Sequence, residues 1–169
     1  NEVVGTVMCN FGLEHYLTQN GMKFVRTQVG DRYIVEHMRK EGALFGGEPS
    51  GHLVFKKYST TGDGTLAALK VIESIRFYDK KLSELAAEIE LFPQVMQNLH
   101  VVKKTPFEKV PEIQKALKEA EDKLAGTGRI LLRYSGTEPL VRVMVEGKNE
   151  KLVNDVCAEL AQVVEKCLG

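Results

Sequence analysis

The chain has 169 residues, 43% hydrophobic and 27% charged, the balance of a globular protein with length for one or two packed cores; disorder and collagen-like repeats are excluded. Lys and Arg number 23 together, as do Asp and Glu. The split is 11 against 12 over residues 1–90 and 12 against 11 over 91–169, so neither half has the basic bias of a nucleic-acid domain. The longest apolar stretches, such as Leu140 to Val145, are broken by charge and fall short of the roughly 18 residues needed to cross a bilayer.

The first residues, Asn1-Glu2-Val3-Val4-Gly5, carry neither an initiator Met nor a basic leader, which reads as a piece of a longer chain. Cys9, Cys157 and Cys167 are odd in number and far apart. They argue against a disulfide framework or a zinc site and suit a reducing, cytoplasmic setting.

In chain order, Val3 to Met8 is a β-branched apolar run that predicts a buried strand. Asn10 then caps a helix carrying Leu13 and Leu17 up to Gly21. Lys23 to Thr27 is a second strand. Gly30-Asp31-Arg32 opens a helix with Ile34, Val35 and Met38 inward, Asp31 being the expected cap, and Ala43 to Phe45 is a short strand. Leu53 to Phe55 follows a glycine-rich loop, and Asp63 caps a long helix whose Ala68, Leu69, Ile72 and Ile75 recur at helical spacing. A short helix spans Leu82 to Ile89. Alternating strand and helix predicts an α/β domain over 1–90, with a linker at 91–97 around Pro93.

The remainder, 98–169, reads as a small α+β domain whose first strand runs from Gln94 to Val102. A helix from Pro111 to Leu124, strands over Arg129 to Arg133 and Leu140 to Glu146, and a helix from Glu150 to Cys167 complete it. Ile113, Ala116, Leu117, Ala120 and Leu124 form one core stripe, and Val153, Val156, Cys157, Leu160 and Val164 another.

The strongest chemical signal is Arg133-Tyr134-Ser135-Gly136-Thr137-Glu138-Pro139, a polar turn between two strands. Its two hydroxyls, its amides around a glycine and its lip arginine suit a tetrahedral dianion. Strand alternation sets Arg142 opposite Val141, Val143 and Val145, so two arginines reach one mouth. A plain hairpin turn, with Ser135 and Thr137 bonded only to local backbone and Glu138 neutralising an arginine, accounts for the same composition. It is not a P-loop, since no Gly-Lys-Ser/Thr and no helix follow.

The second signal is Gly46-Gly47-Glu48-Pro49-Ser50-Gly51-His52. In an extended chain Glu48, Ser50 and His52 share one side and form a polyol-binding edge; in a tight turn Glu48 and His52 simply pair. His15, His37 and His100 lack metal-ligand spacing, and no Asp-x-Asp pair offers a magnesium cluster.

Taken together, Thr6-Val7-Met8 with Gly12-Leu13, Val29 to Tyr33, Gly46 to His52, Gly62-Asp63-Gly64, Phe92-Pro93-Gln94 and Arg133 to Gly147 resemble the C-terminal part of the α-D-phosphohexomutases, and within them the phosphoglucosamine branch. The resemblance implies most of the family's third domain followed by its fourth, a TATA-binding-protein-like antiparallel sheet with two helices. It implies that Glu48, Ser50 and His52 bind sugar hydroxyls, with Gly30 and Asp31 approaching the sugar. It also implies that Arg133, Ser135, Gly136, Thr137 and Arg142 hold the phosphate.

The implied reaction interconverts glucosamine 6-phosphate and glucosamine 1-phosphate through a phosphoserine and a bisphosphate. The resemblance implies that the serine and the Mg2+-binding Asp loop lie upstream, so this piece is expected to be inactive alone, without catalytic or metal residues of its own. Its implied partners are a phosphorylated hexosamine and the upstream domains of its own chain, not nucleic acid or membrane. Two positions depart from the family pattern: Tyr134 where Pro or Lys is usual, and Pro49 where Gln or Met is common. A phosphomannomutase or phosphoglucomutase piece, or a non-catalytic module for phosphorylated ligands, are the alternatives.

Overall fold

Valines 3 and 4 lie in the first strand, β1 (Glu2–Thr6), which ends where the Cys9 amide turns back to the Thr6 carbonyl at 3.0 Å. In this computed structural model residues 1–169 are all described, and they divide into two units, Asn1–Leu91 and Phe92–Gly169.

In the first unit β1 pairs in parallel with β2 (Lys23–Thr27) and β3 (Phe45–Gly47), and β3 pairs antiparallel with β4 (Leu53–Phe55), giving the order β2-β1-β3-β4. Helices α1 (Phe11–Gln19) and α2 (Asp31–Glu41) make the crossovers between the parallel strands. The Asn10 side chain accepts from the Gly12 amide at 2.9 Å, as the sequence predicts. Strand β3 starts at Phe45, not Ala43, because pairing begins only where Phe45 comes opposite Val3. The core is Val4, Ile34, Met38, Ala43 and Val54, with Val35 packed against it.

Asp63 Oδ1 accepts from the Leu66 amide at 2.9 Å and starts α3 (Gly64–Tyr78), which is followed by α4 (Leu82–Ala86), three residues shorter than its pattern predicts. The apolar stripe of α3 is not core: Leu69 is 60% and Ile72 53% exposed. Its neighbours are a three-residue strand and a five-residue helix, too small to cover fifteen residues.

The second unit is an antiparallel sheet of order β5-β7-β6, built from β5 (Gln94–His100), β6 (Gly128–Tyr134) and β7 (Leu140–Gly147). Strand β5 begins inside the segment read as linker, where Gln94 pairs with Glu146, and stops at His100 opposite Leu140. Helices α5 (Pro111–Leu124) and α6 (Glu150–Leu168) carry the two expected stripes against the sheet. Ile113, Val141, Val143, Val145, Val153, Val156, Cys157, Leu160 and Val164 are all at most 1% exposed. Burying each such aliphatic side chain contributes about 1.5–3 kcal/mol, which holds β7 rigidly between its partners and fixes the loop that precedes it. No helix is long and apolar enough to cross a membrane.

Candidate functional site

The turn between β6 and β7 is closed by the Ser135 amide donating to the Leu140 carbonyl at 2.8 Å. Ser135 is buried, and its Oγ accepts from the Glu138 amide at 3.3 Å and donates to Glu138 Oε2 at 3.4 Å. Arg133 and Arg142 are direct cross-strand partners, so both side chains leave the same face of the sheet. Their proximity has an electrostatic signature: burial first, and the charge of Arg142 second, lower the pKa of Arg133.

Arg142 Nη2 reaches Glu138 Oε2 at 3.5 Å, while its Nε is buried without a hydrogen-bond partner. A buried guanidinium N–H left unpaired is a donor waiting for an acceptor. Gly136 and Thr137 are exposed at the tip, and a Cβ on Gly136 would meet nothing within 4 Å. The hairpin therefore joins Arg133, Ser135, Gly136, Thr137 and Arg142, while also containing the local Ser135–Glu138–Arg142 bonding of a plain turn.

Sequence reasoning missed Lys104, whose Nζ donates to the Ser135 carbonyl at 2.6 Å. The signal lay in the topology: an antiparallel β5 ending opposite Leu140 delivers the residues after His100 to the end of β7 where the loop lies.

In the first unit the stretch from Glu48 to His52 is a turn, one of the two arrangements open to this sequence, and not an extended edge. The Glu48 amide donates to the His52 carbonyl at 3.1 Å and the Gly51 amide to the Glu48 carbonyl at 3.0 Å, with Gly51 at φ 92°, a conformation open to glycine. The turn still gathers the three side chains. Ser50 Oγ and His52 Nδ1 are hydrogen-bonded at 2.9 Å, and His52 Nδ1 lies 3.5 Å from Glu48 Oε1. Glu48 Oε2 accepts from the Gly30 amide at 3.3 Å, which brings the β2–α2 loop to the same carboxylate.

Asp31 is not the helix cap. Gly30 occupies that position at φ 126°, which disfavours a side chain, and Asp31 becomes the first helical residue, lining an open groove with Arg32, Thr60 and Thr61. His37 Nε2 bonds Glu2 Oε1 at 2.8 Å, and His15 Nε2 bonds Gln19 Nε2 at 2.9 Å. No group of three or more His, Cys, Asp or Glu is gathered to hold a metal ion.

Residues 1–92 match the family model described as phosphoglucomutase/phosphomannomutase, alpha/beta/alpha domain III, and residues 96–163 match the phosphoglucomutase/phosphomannomutase C-terminal domain. The chain is 52% identical over all 169 residues to a phosphoglucosamine mutase of Solidesulfovibrio magneticus and 49% identical to that of Lawsonia intracellularis. It spans 38% of the length of each of these relatives. Among solved structures, an Aspergillus fumigatus N-acetylphosphoglucosamine mutase superposes with a TM-score of 0.85 at 19% identity, over 98% of this chain and 38% of that one. The same fungal enzyme in complex with GlcNAc-6P and magnesium gives 0.82 at 18% identity, over 99% and 39%. At that identity the likeness is one of fold.

Proposed function

The chain belongs to the phosphoglucomutase/phosphomannomutase family, and from that premise we propose that it is the C-terminal, substrate-binding part of a phosphoglucosamine mutase. The parent interconverts glucosamine 6-phosphate and glucosamine 1-phosphate through a phosphoserine and a bisphosphate intermediate. Arg133, Ser135, Gly136, Thr137 and Arg142 bind the substrate phosphate; Glu48, Ser50 and His52, with Gly30 and Asp31 beside them, take the sugar hydroxyls. The observation that carries this reading is the pairing of Arg133 with Arg142 at the mouth of the hairpin, where a buried Arg142 Nε has no partner. Two guanidinium groups leaving one face of the hairpin beside each other are a cationic pair of the kind that a phosphate dianion neutralises.

The chemistry divides accordingly. Phosphoryl transfer depends on charge neutralisation and in-line placement, and this chain contributes the first of these at the phosphate that stays bound. Glu48 accepts from sugar hydroxyls, and its bond to the Gly30 amide fixes its orientation. The residues here do not compose a magnesium site. Magnesium and the phosphoserine belong, in this proposal, to the portion of the relatives that this chain does not span, and the 169 residues alone do not turn over substrate. Its partners are then the phosphorylated hexosamine and the upstream domains of its own parent, without nucleic acid or membrane, and its free thiols suit the cytoplasm.

The test is turnover by the full-length protein with glucosamine 6-phosphate and magnesium, beside calorimetric titration of glucosamine 6-phosphate. Interconversion is expected, as is weaker binding by Arg142→Ala of about 10- to 100-fold, since a charged hydrogen bond is worth about 1.5–3 kcal/mol. Turnover of mannose or glucose phosphates instead overturns the substrate. No turnover of any hexose phosphate favours a binding module.

A further inference from the structure

Strand pairing does more than close the sheet: His100 lies opposite Leu140 and the Val101 amide donates to the Pro139 carbonyl at 3.0 Å, so residues 101–107 run beside the 135–139 hairpin. Two side chains lock them there. Tyr134 stacks on Phe107 with ring centroids 4.4 Å apart and planes 6° from parallel, and its hydroxyl donates to the Thr105 carbonyl at 2.5 Å. Burial pushes that hydroxyl above its ordinary pKa, so it remains a donor. Between these anchors and the hairpin, Lys104 Nζ donates to the Ser135 carbonyl.

We propose that Lys104 is a positioning residue for the bound phosphate, acting through the Ser135–Gly136 peptide. A trans peptide is planar, and its C=O and N–H point in opposite directions. An ammonium group that holds the Ser135 carbonyl on one side therefore aims the Gly136 N–H to the other, and Gly136 carries no Cβ to obstruct an approach. The same charge polarises the peptide and strengthens its N–H as a donor. Tyr134 supplies by stacking and hydrogen bonding a fixation comparable to what a proline ring gives through the backbone. The assignment rests on reading the hairpin as the phosphate site.

The experiment compares Lys104→Met, Lys104→Arg and Arg142→Ala in the full-length protein, with glucosamine 6-phosphate as the titrant. Three readouts are taken: calorimetric affinity, thermal midpoint, and the amide proton shift of glycine-labelled Gly136. Lys104→Met is expected to bind ~5- to 10-fold more weakly, a fraction of what a direct charged contact gives. It is also expected to lose the ligand-induced Gly136 shift while keeping its midpoint, and Lys104→Arg to recover both binding and shift. If Lys104→Met binds like wild type while Arg142→Ala binds poorly, the positioning role is overturned and the phosphate site stands. If both bind like wild type, the phosphate site falls and the role with it. A lowered midpoint that Lys104→Arg leaves unrescued makes Lys104 merely structural, and likewise overturns the proposal.

Discussion

Glu146 on β7 is fully buried, and Arg129, its cross-strand partner on β6, donates Nε to its carboxylate at 2.5 Å. The pair sits at the end of the hairpin far from the 135–139 turn and ties the same two strands together. A buried carboxylate robbed of its cation loses far more than an exposed one, because water cannot replace the partner. Arg129→Met is expected to destabilise the chain by about 3–5 kcal/mol in urea unfolding. Arg129→Met combined with Glu146→Leu is expected to recover most of that. Equal losses in the single and double variants would show that the ion pair is not the source.

Helix α2 comes so close to the sheet at Gly46 that a methyl group there would stand 2.6 Å from Ile34 Cγ2 and 2.9 Å from the Val4 carbonyl oxygen. The side chain could shift, but the backbone oxygen belongs to β1 and cannot. Gly46→Ala is therefore expected to lower stability by about 1–3 kcal/mol and, on the sugar-binding role proposed for Glu48 two residues on, to weaken glucosamine 6-phosphate binding. Differential scanning calorimetry checks the first and isothermal titration the second; an unchanged midpoint refutes the close-packing argument.

What the sequence made legible were features decided locally. Asn10 and Asp63 cap their helices because a short acceptor side chain before an apolar run has few other uses, and the stripes of α5 and α6 are core because their period matches the helix. The hairpin residues from Arg133 to Arg142 were legible because two flanking strands fix which way each arginine leaves the sheet. Features decided by partners far along the chain were not. Asp31 looked like a cap, but the positive φ at position 30 gave that place to glycine. Periodicity marked Leu69 and Ile72 as a face without saying what lies against it. Lys104 joins the hairpin through a strand order that no local pattern carries.

The three thiols differ in access, which alkylation can read. Cys157 is 0% exposed and burial pushes its pKa above the ordinary 9.0, so the reactive thiolate is doubly suppressed. Cys9 is buried as well, whereas Cys167 near the end of α6 is partly exposed. Iodoacetamide at mildly alkaline pH is expected to label Cys167 first, with Cys9 and Cys157 reacting only on unfolding, as peptide mass spectrometry can follow. Early labelling of Cys157 would mean that the sheet and α6 separate far more readily than their packing implies.

Acid should loosen the first unit through one carboxylate. Glu2 on β1 bonds Lys23 Nζ on β2 at 2.7 Å and His37 Nε2 on α2 at 2.8 Å, and these bonds, Lys23's first, lower its pKa from the ordinary 4.5. A carboxyl group whose folded pKa is depressed contributes stability above its unfolded value and loses it as pH falls through the folded one. The same contact raises the Lys23 pKa above 10.5, so on the alkaline side the Glu2–Lys23 interaction is lost only as pH climbs through the raised value. Glu2→Gln is accordingly expected to have a lower thermal midpoint than wild type at about pH 7. The gap should close as the solution is acidified through and below 4.5. A gap that stays constant over that range would mean that Glu2 supports the sheet through packing of its stem and not through its charge.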